Sequence, residues 1–237
     1  VPPPGPDVAT PSTPGQGDET APSESTWGSP RTFGYPPGGD DRWHRGFAYW
    51  DRSSAYGSPE SLASLRLLRD LGADTVSPVV TWYVDHPWDA GLHRGPGTPS
   101  DQDLATLVDE AHWLGLRVVL RLHVDCDDGQ WRAHIDPNDK ETWFAAYGAV
   151  LNHYALLAQE HGVEGMVIGA ELVGVSGPTY TGEWRRMIAQ VRQRFGGFLT
   201  YSAQWGAGPA SNESDRYREF DQIGFWADLD YLGISGY

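Results

Sequence analysis

The chain has 237 residues, enough for one sizeable core, and carries 32 acidic against 17 basic side chains for a net charge of −15. That balance argues against a nucleic-acid backbone or an anionic membrane surface as a partner. No run approaches the roughly 20 apolar residues that a membrane-spanning helix needs.

Residues 1–40 are Pro, Gly, Ser, Thr and acid with almost no aliphatic side chains. Such a segment cannot bury enough apolar surface to offset its conformational entropy, so a disordered or extended linker is expected. Linkers of this kind join a secretion or anchoring signal to an extracellular domain, and an extracellular or cell-surface location is the expectation. The sequence starts at Val1 with no initiator Met and no signal peptide, which predicts further chain upstream.

From residue 41 to 237 the texture changes to a single domain of alternating elements. "RGFAYW" (45–50) reads as a strand. Residues 58–72 read as a helix, with Ser58 as N-cap, Pro59 at its first position and Leu62, Leu65, Leu68 and Leu71 along one face. A strand over 73–84 follows, then a helix over 100–115 opened by Ser100 with Asp103 in a capping-box pattern. Residues 116–124 form a third strand, and 138–162 a long helix with Phe144, Tyr147, Leu151, Tyr154 and Ala158 at helical spacing. The run "VEGMVIGAEL" (163–172) is a fourth strand that stops on a carboxylate, Glu171. A helix over 181–196, a strand over 198–205, a helical stretch near 214–225 and a strand over 230–237 complete the order.

Strand–helix alternation with short turns means a parallel sheet. No Gly-rich turn follows the first strand, so a nucleotide-binding open sheet is disfavoured. The expected fold class is α/β, a (β/α)8 TIM-barrel type truncated after its sixth strand. Such barrels build their active sites at the C-terminal ends of the strands. Those ends here are Trp50-Asp51, Trp82-Tyr83, His123 with Asp125, Glu171, Gln204-Trp205 and Tyr237. Nearby loops add Asp127, Asp128, Trp131, Arg132, Glu183 and Trp184. The chain has 11 Trp and 11 Tyr, flat apolar rings with a polar handle. Rings for stacking, with amides and acids for hydroxyl groups, suit a neutral polyhydroxylated ligand.

A metal site competes at "HVDCDD", where His123, Asp125, Cys126, Asp127 and Asp128 cluster. The first, fifth and sixth strand ends have no His, so neither a catalytic metal nor a cofactor is expected. An Asp-bound Ca²⁺ would lack the Gly and terminal Glu of an EF-hand loop. Cys126, the only cysteine, excludes an internal disulfide and has no adjacent His to activate it. Trp113 and Trp143 are expected to pack their helices.

The blocks "DGQWRAHIDP", "WFAAYGAVLNHYALLAQEHGVEGMVIGAEL", "EWRRMIAQVRQRFGGFLTYSAQW" and "FWADLDYLGISGY" resemble successive blocks of glycoside hydrolase family 113, in order, from about Trp43 to the end. The resemblance implies a β-mannanase-like retaining glycosidase acting on a β-linked, mannose-containing polysaccharide. It implies that Glu171, ending the fourth strand, is the acid/base, and that the nucleophile ends a seventh strand beyond residue 237, so that this segment alone is inactive. Substrate contacts are expected from Trp82, Tyr83, His123, Asp125, Trp131, Arg132, Gln204, Trp205 and Tyr237. Two positions depart from relatives in the clan: Ala170 stands where many have Asn, and Gln204 where Asn is expected. The alternative is a non-catalytic carbohydrate-binding or cell-surface module on the same scaffold. A monomer is expected in either case.

Overall fold

A computed structural model describes residues 44–50, 55–206 and 218–236. The expected linker over 1–40 lies outside the described residues, as do Asp51 and Tyr237.

In chain order the elements are β1 (Gly46–Tyr49), α1 (Pro59–Asp70), β2 (Thr75–Val84), β3 (His93–Arg94), α2 (Asp101–Trp113), β4 (Arg117–Cys126), α3 (Lys140–Glu160), β5 (Gly165–Ala170), α4 (Val173–Ser176), α5 (Thr181–Arg192), β6 (Phe198–Gln204) and β7 (Tyr231–Ser235). Strands β1, β2, β4, β5, β6 and β7 are parallel neighbours in that order, a half-barrel backed by helices. The truncated (β/α) barrel is therefore the observed fold.

Local chemistry explains the element starts. The Ser58 hydroxyl accepts from the Ser61 N–H at 3.1 Å, and Ser100 accepts from the Asp103 N–H at 3.0 Å, each satisfying an otherwise orphaned helix donor. Asp139 caps α3 in the same way through the Thr142 N–H at 3.0 Å.

Alternation along β4 divides the sheet into two faces. Val118, Leu120, Leu122, Val124 and Cys126 are buried in the core beneath the helices. Arg117, Val119, Arg121, His123 and Asp125 are only half-buried and line the barrel side. On β6 the same rule sends Leu199, Tyr201 and Ala203 to the helices and Ser202 and Gln204 to the barrel side.

Four expectations change. Residues 93–94, read as loop, form the short strand β3, antiparallel to β2. The segment near 214–225 is not a helix over its described part: Glu219–Asp221 and Trp226–Asp228 are single 3₁₀ turns, closed by the Trp226 Nε1–H donating to the Phe220 carbonyl at 2.9 Å. Trp113 is 61% exposed at the end of α2 rather than packed, whereas Trp143 is fully buried and stacks on Tyr147. Trp184, read as a loop residue, is fully buried on α5 between Tyr201 and Phe225.

Candidate active site

The chain leaves β5 at Ala170 and enters Glu171 with φ +56°, the one described non-glycine residue at positive φ. A side chain there strains the backbone by on the order of 1–3 kcal/mol, which persists only where the surroundings hold it. The register of β5 against β6 shifts between Val167 and Ala170, and such bulges re-aim side chains beside active sites. Gly169 makes the shift sterically possible: a Cβ there would lie 2.7 Å from the Tyr201 ring and 3.1 Å from that of Trp184.

Hydrogen bonds hold the turn from both sides. The Glu171 N–H donates to the Ser202 carbonyl at 2.9 Å, and the Leu172 N–H donates to the Tyr201 hydroxyl at 2.8 Å. That hydroxyl in turn donates to Glu219 Oε1 at 2.5 Å. The Glu171 side chain is buried, and its Oε2 accepts from the Trp131 indole N–H at 3.1 Å. Trp131 therefore reaches the carboxylate directly, through its edge.

Next to Trp131, Arg132 ties two strand-end residues of β4 together. Its Nη1 donates to His123 Nδ1 at 2.6 Å, and its Nη2 pairs with Asp125 Oδ1 at 2.7 Å. A guanidinium only donates, so His123 Nδ1 must be the acceptor and the ring proton sits on Nε2. Burial first, then the Arg132 and Arg121 charges, pushes the His123 imidazolium well below its ordinary range. His123 is thus a neutral N–H donor whose Nε2 is buried and makes no hydrogen bond among the described residues. Gln204, on the adjacent barrel-side face, is also buried, with Oε1 lacking a hydrogen bond there. One donor and one acceptor thus stand at the ends of the two strands that flank β5, groups of the kind that bind hydroxyls.

Other expected contacts are used differently. Trp82 faces the helices, where its indole N–H donates to the Tyr154 hydroxyl at 3.2 Å and Arg94 covers its ring. It is not brought together with Glu171, because β2 alternates and position 82 falls on the core side. Tyr83 is overlaid by residues 93–97: His93 stacks on its ring and the Gly97 N–H donates to its hydroxyl at 2.9 Å. Trp205 is 59% exposed and stacks on Phe220. The Cys126 thiol is buried, and desolvation followed by the Asp128 and Asp125 charges pushes it up to about 12, an inert thiol.

Sequence reasoning missed Glu219, which lies at no strand end and in no recognisable pattern. It is 1% exposed and accepts from the Ser176 hydroxyl at 2.6 Å, the Tyr201 hydroxyl, and the Gln204 N–H at 2.6 Å. Burial raises its carboxyl above the usual range against those hydrogen bonds, and the nearby Glu171 charge adds to the rise. Glu219 thereby fastens the segment after Glu171 to the tip of β6.

The family model for glycoside hydrolase family 113 matches residues 45–237. No curated protein matches the chain in sequence. Among solved structures, a GH113 β-1,4-mannanase in a complex is 28% identical with a TM-score of 0.71, over 82% of this chain and 62% of that one. The GH113 β-mannanase AaManA from Alicyclobacillus acidocaldarius, in complex with ManMIm, is 28% identical with a TM-score of 0.70, over 80% of this chain and 59% of its own. The exo-β-1,4-mannosidase Op5Man5 from an Opitutaceae bacterium shares the fold at 18% identity and a TM-score of 0.55. The chain thus spans about three-fifths of the length of the mannanases it matches. With the family model covering the whole half-barrel and its site, the chain belongs to glycoside hydrolase family 113.

Proposed function

We propose that this chain carries the acid/base half of a retaining glycoside hydrolase acting on a β-linked, mannose-containing polysaccharide, with Glu171 as the acid/base. The observation that carries the reading is Glu171 itself: a buried carboxylate, held at positive φ on a barrel strand end, with Trp131 donating to it. Retaining chemistry needs a second carboxyl about 5–5.5 Å away as nucleophile. Glu219 does not suit that role, since its oxygens face Ser176, Tyr201 and Gln204 inside the fold. The nucleophile is assigned to the part of the longer mannanases that this chain does not span.

In the first step Glu171 delivers its proton to the departing glycosidic oxygen while the nucleophile attacks the anomeric carbon. In the second, Glu171 takes a proton from water as water displaces the enzyme carboxylate. His123 Nε2–H and Gln204 Oε1 are proposed to hold sugar hydroxyls, with Trp131 and Arg132 framing them and Trp205 extending the cleft. The Pro/Gly/Ser/Thr-rich stretch and the proposed polysaccharide substrate support an extracellular enzyme, which is proposed to act as a monomer.

The test is Glu171→Gln in the full-length protein. The shape is kept but the proton is lost, so activity on mannan should fall by about 10²–10⁴-fold. Substantial activity should return on aryl glycosides with good leaving groups, with azide trapping the glycosyl-enzyme. Undiminished hydrolysis of mannan by the folded variant removes Glu171 from this role. Sugar binding by a full-length protein that hydrolyses nothing would favour the non-catalytic module.

A further inference from the structure

We propose that Asp85, His93 and Asp127 form a binding site for one divalent transition-metal ion, zinc being the best fit, on the rim of the half-barrel. The three come from separate segments: Asp85 directly follows β2, His93 is on β3, and Asp127 directly follows β4. Sequence reading expects no metal, since the first, fifth and sixth strand ends carry no His; His93 and Asp85 lie far along the chain from "HVDCDD", and the fold brings only Asp127 of that run into the group.

The geometry separates a metal site from an ordinary ion pair. His93 Nε2 lies 3.0 Å from Asp85 Oδ1 and 3.3 Å from Asp127 Oδ2, and one ligand atom from each residue falls within 4.8 Å of the others. A protonated imidazole would aim its Nε2–H at one of these oxygens. Yet Nε2 is a buried atom that makes no hydrogen bond among the described residues, so both oxygens flank the ring axis instead of lying on it. That is the arrangement of ligand atoms around a shared ion. With bond lengths of about 2.0–2.2 Å, neighbouring ligand atoms stand about 3.3–3.5 Å apart in a tetrahedron and about 3.0 Å apart in an octahedron. The two nitrogen–oxygen separations fall in that range.

The other ring nitrogen supplies an independent sign. His93 Nδ1 lies 3.2 Å from the Arg94 carbonyl, which can only accept, so Nδ1 carries a proton and Nε2 is the ring nitrogen that faces the two carboxylates. Metal-bound histidines are oriented by just such a bond from the second nitrogen to a backbone carbonyl. One imidazole and two carboxylates make a mixed N/O set that suits Zn²⁺, with water completing the shell. Ca²⁺ prefers six to eight oxygens at about 2.3–2.6 Å and is disfavoured by the imidazole. The ion would fasten the 93–99 segment, which lies over Tyr83, to the ends of β2 and β4.

The experiment needs no turnover. Chelator-treated protein is titrated calorimetrically with ZnCl₂, then with Co²⁺, whose visible absorption reports imidazole and carboxylate coordination. One equivalent of Zn²⁺ should bind, the melting temperature should rise with Zn²⁺, and Co²⁺ should give a d–d spectrum. His93→Gln and, separately, Asp85→Asn/Asp127→Asn should each abolish the stoichiometric binding and the rise while melting as the chelated wild type does. These side chains are partly exposed, so either variant set can stand alone if the other folds poorly. Absence of stoichiometric Zn²⁺ binding overturns the proposal, as does binding that survives both variant sets, or Ca²⁺ binding without Zn²⁺.

Discussion

At the scale of single residues, His123 has the clearest pH consequence. Its folded-state value is depressed, whereas in the unfolded chain it titrates near the ordinary 6.5. Above 6.5 the ring is neutral in both states and its contribution to stability is complete. As pH falls below 6.5 the unfolded chain takes up the proton first, and stability is lost until the folded-state value is passed. Urea midpoints measured from pH 7.5 to 5 should therefore decline, and His123→Gln should decline less steeply. Parallel slopes would mean that His123 is not held neutral. The place of Glu171 at the end of β5 was legible, because an apolar run of strand length identifies the end of a buried strand. The roles of Trp131 as hydrogen-bond donor and Glu219 as anchor were not legible. Both depend on where loops return to the barrel, which side-chain periodicity does not encode.

At the scale of elements, the segment from β3 to α2 is the feature least visible in the sequence and most specific to the site's rim. Its backbone closes onto β2: the Thr81 N–H donates to the Gly97 carbonyl at 3.0 Å, and Thr98 Oγ1 bonds to the Thr81 carbonyl. Two glycines allow the approach. A Cβ at Gly95 would lie 2.5 Å from the Tyr83 ring, and one at Gly97 would lie 2.6 Å from its hydroxyl. Gly95→Ala should therefore lift the segment. Limited proteolysis between residues 86 and 99 should become faster, and stability should drop by about 1–3 kcal/mol, the usual penalty for overpacking. Unchanged proteolysis would show that Tyr83 can swing aside. Helices were read well from caps and apolar faces, whereas a two-residue strand is too short for any periodicity to show. Trp82 misled for a related reason: the end of a strand predicts proximity to the site, but a one-residue offset decides which face a ring takes.

For the whole molecule, the order of six parallel strands followed from alternation, because the four helices between the first five of those strands announced themselves; the helix expected before β7 did not appear over its described part, yet β7 still pairs parallel to β6. Two features of the whole were harder to see. One is the aromatic layer around Trp184, where Phe144 and Tyr147 from α3, Tyr201 from β6 and Phe225 from the turn before β7 meet at centroid distances of 4.8–6.4 Å. Rings that looked like sugar platforms in composition are in part the packing that backs β5 and β6. The other is the pair of outer strands. Among the described residues β1 pairs only with β2 and β7 only with β6, and Phe47, Leu232 and Ile234 on those strands are exposed. Unpaired edges with apolar side chains are templates for additional strands.

The left-handed turn at Glu171 also makes a statement about selection. A residue kept where its own backbone resists it is one the fold would do better without, so stability and chemistry pull this position in opposite directions. Glycine accepts positive φ without penalty, and removing the buried carboxylate also removes its desolvation. Glu171→Gly should therefore melt no lower than the wild type, and higher if the strain outweighs the lost Trp131 contact, although deleting a buried side chain ordinarily destabilises a protein. Differential scanning calorimetry decides the matter, and a melting temperature several degrees below wild type would mean that Glu171 is there for the fold.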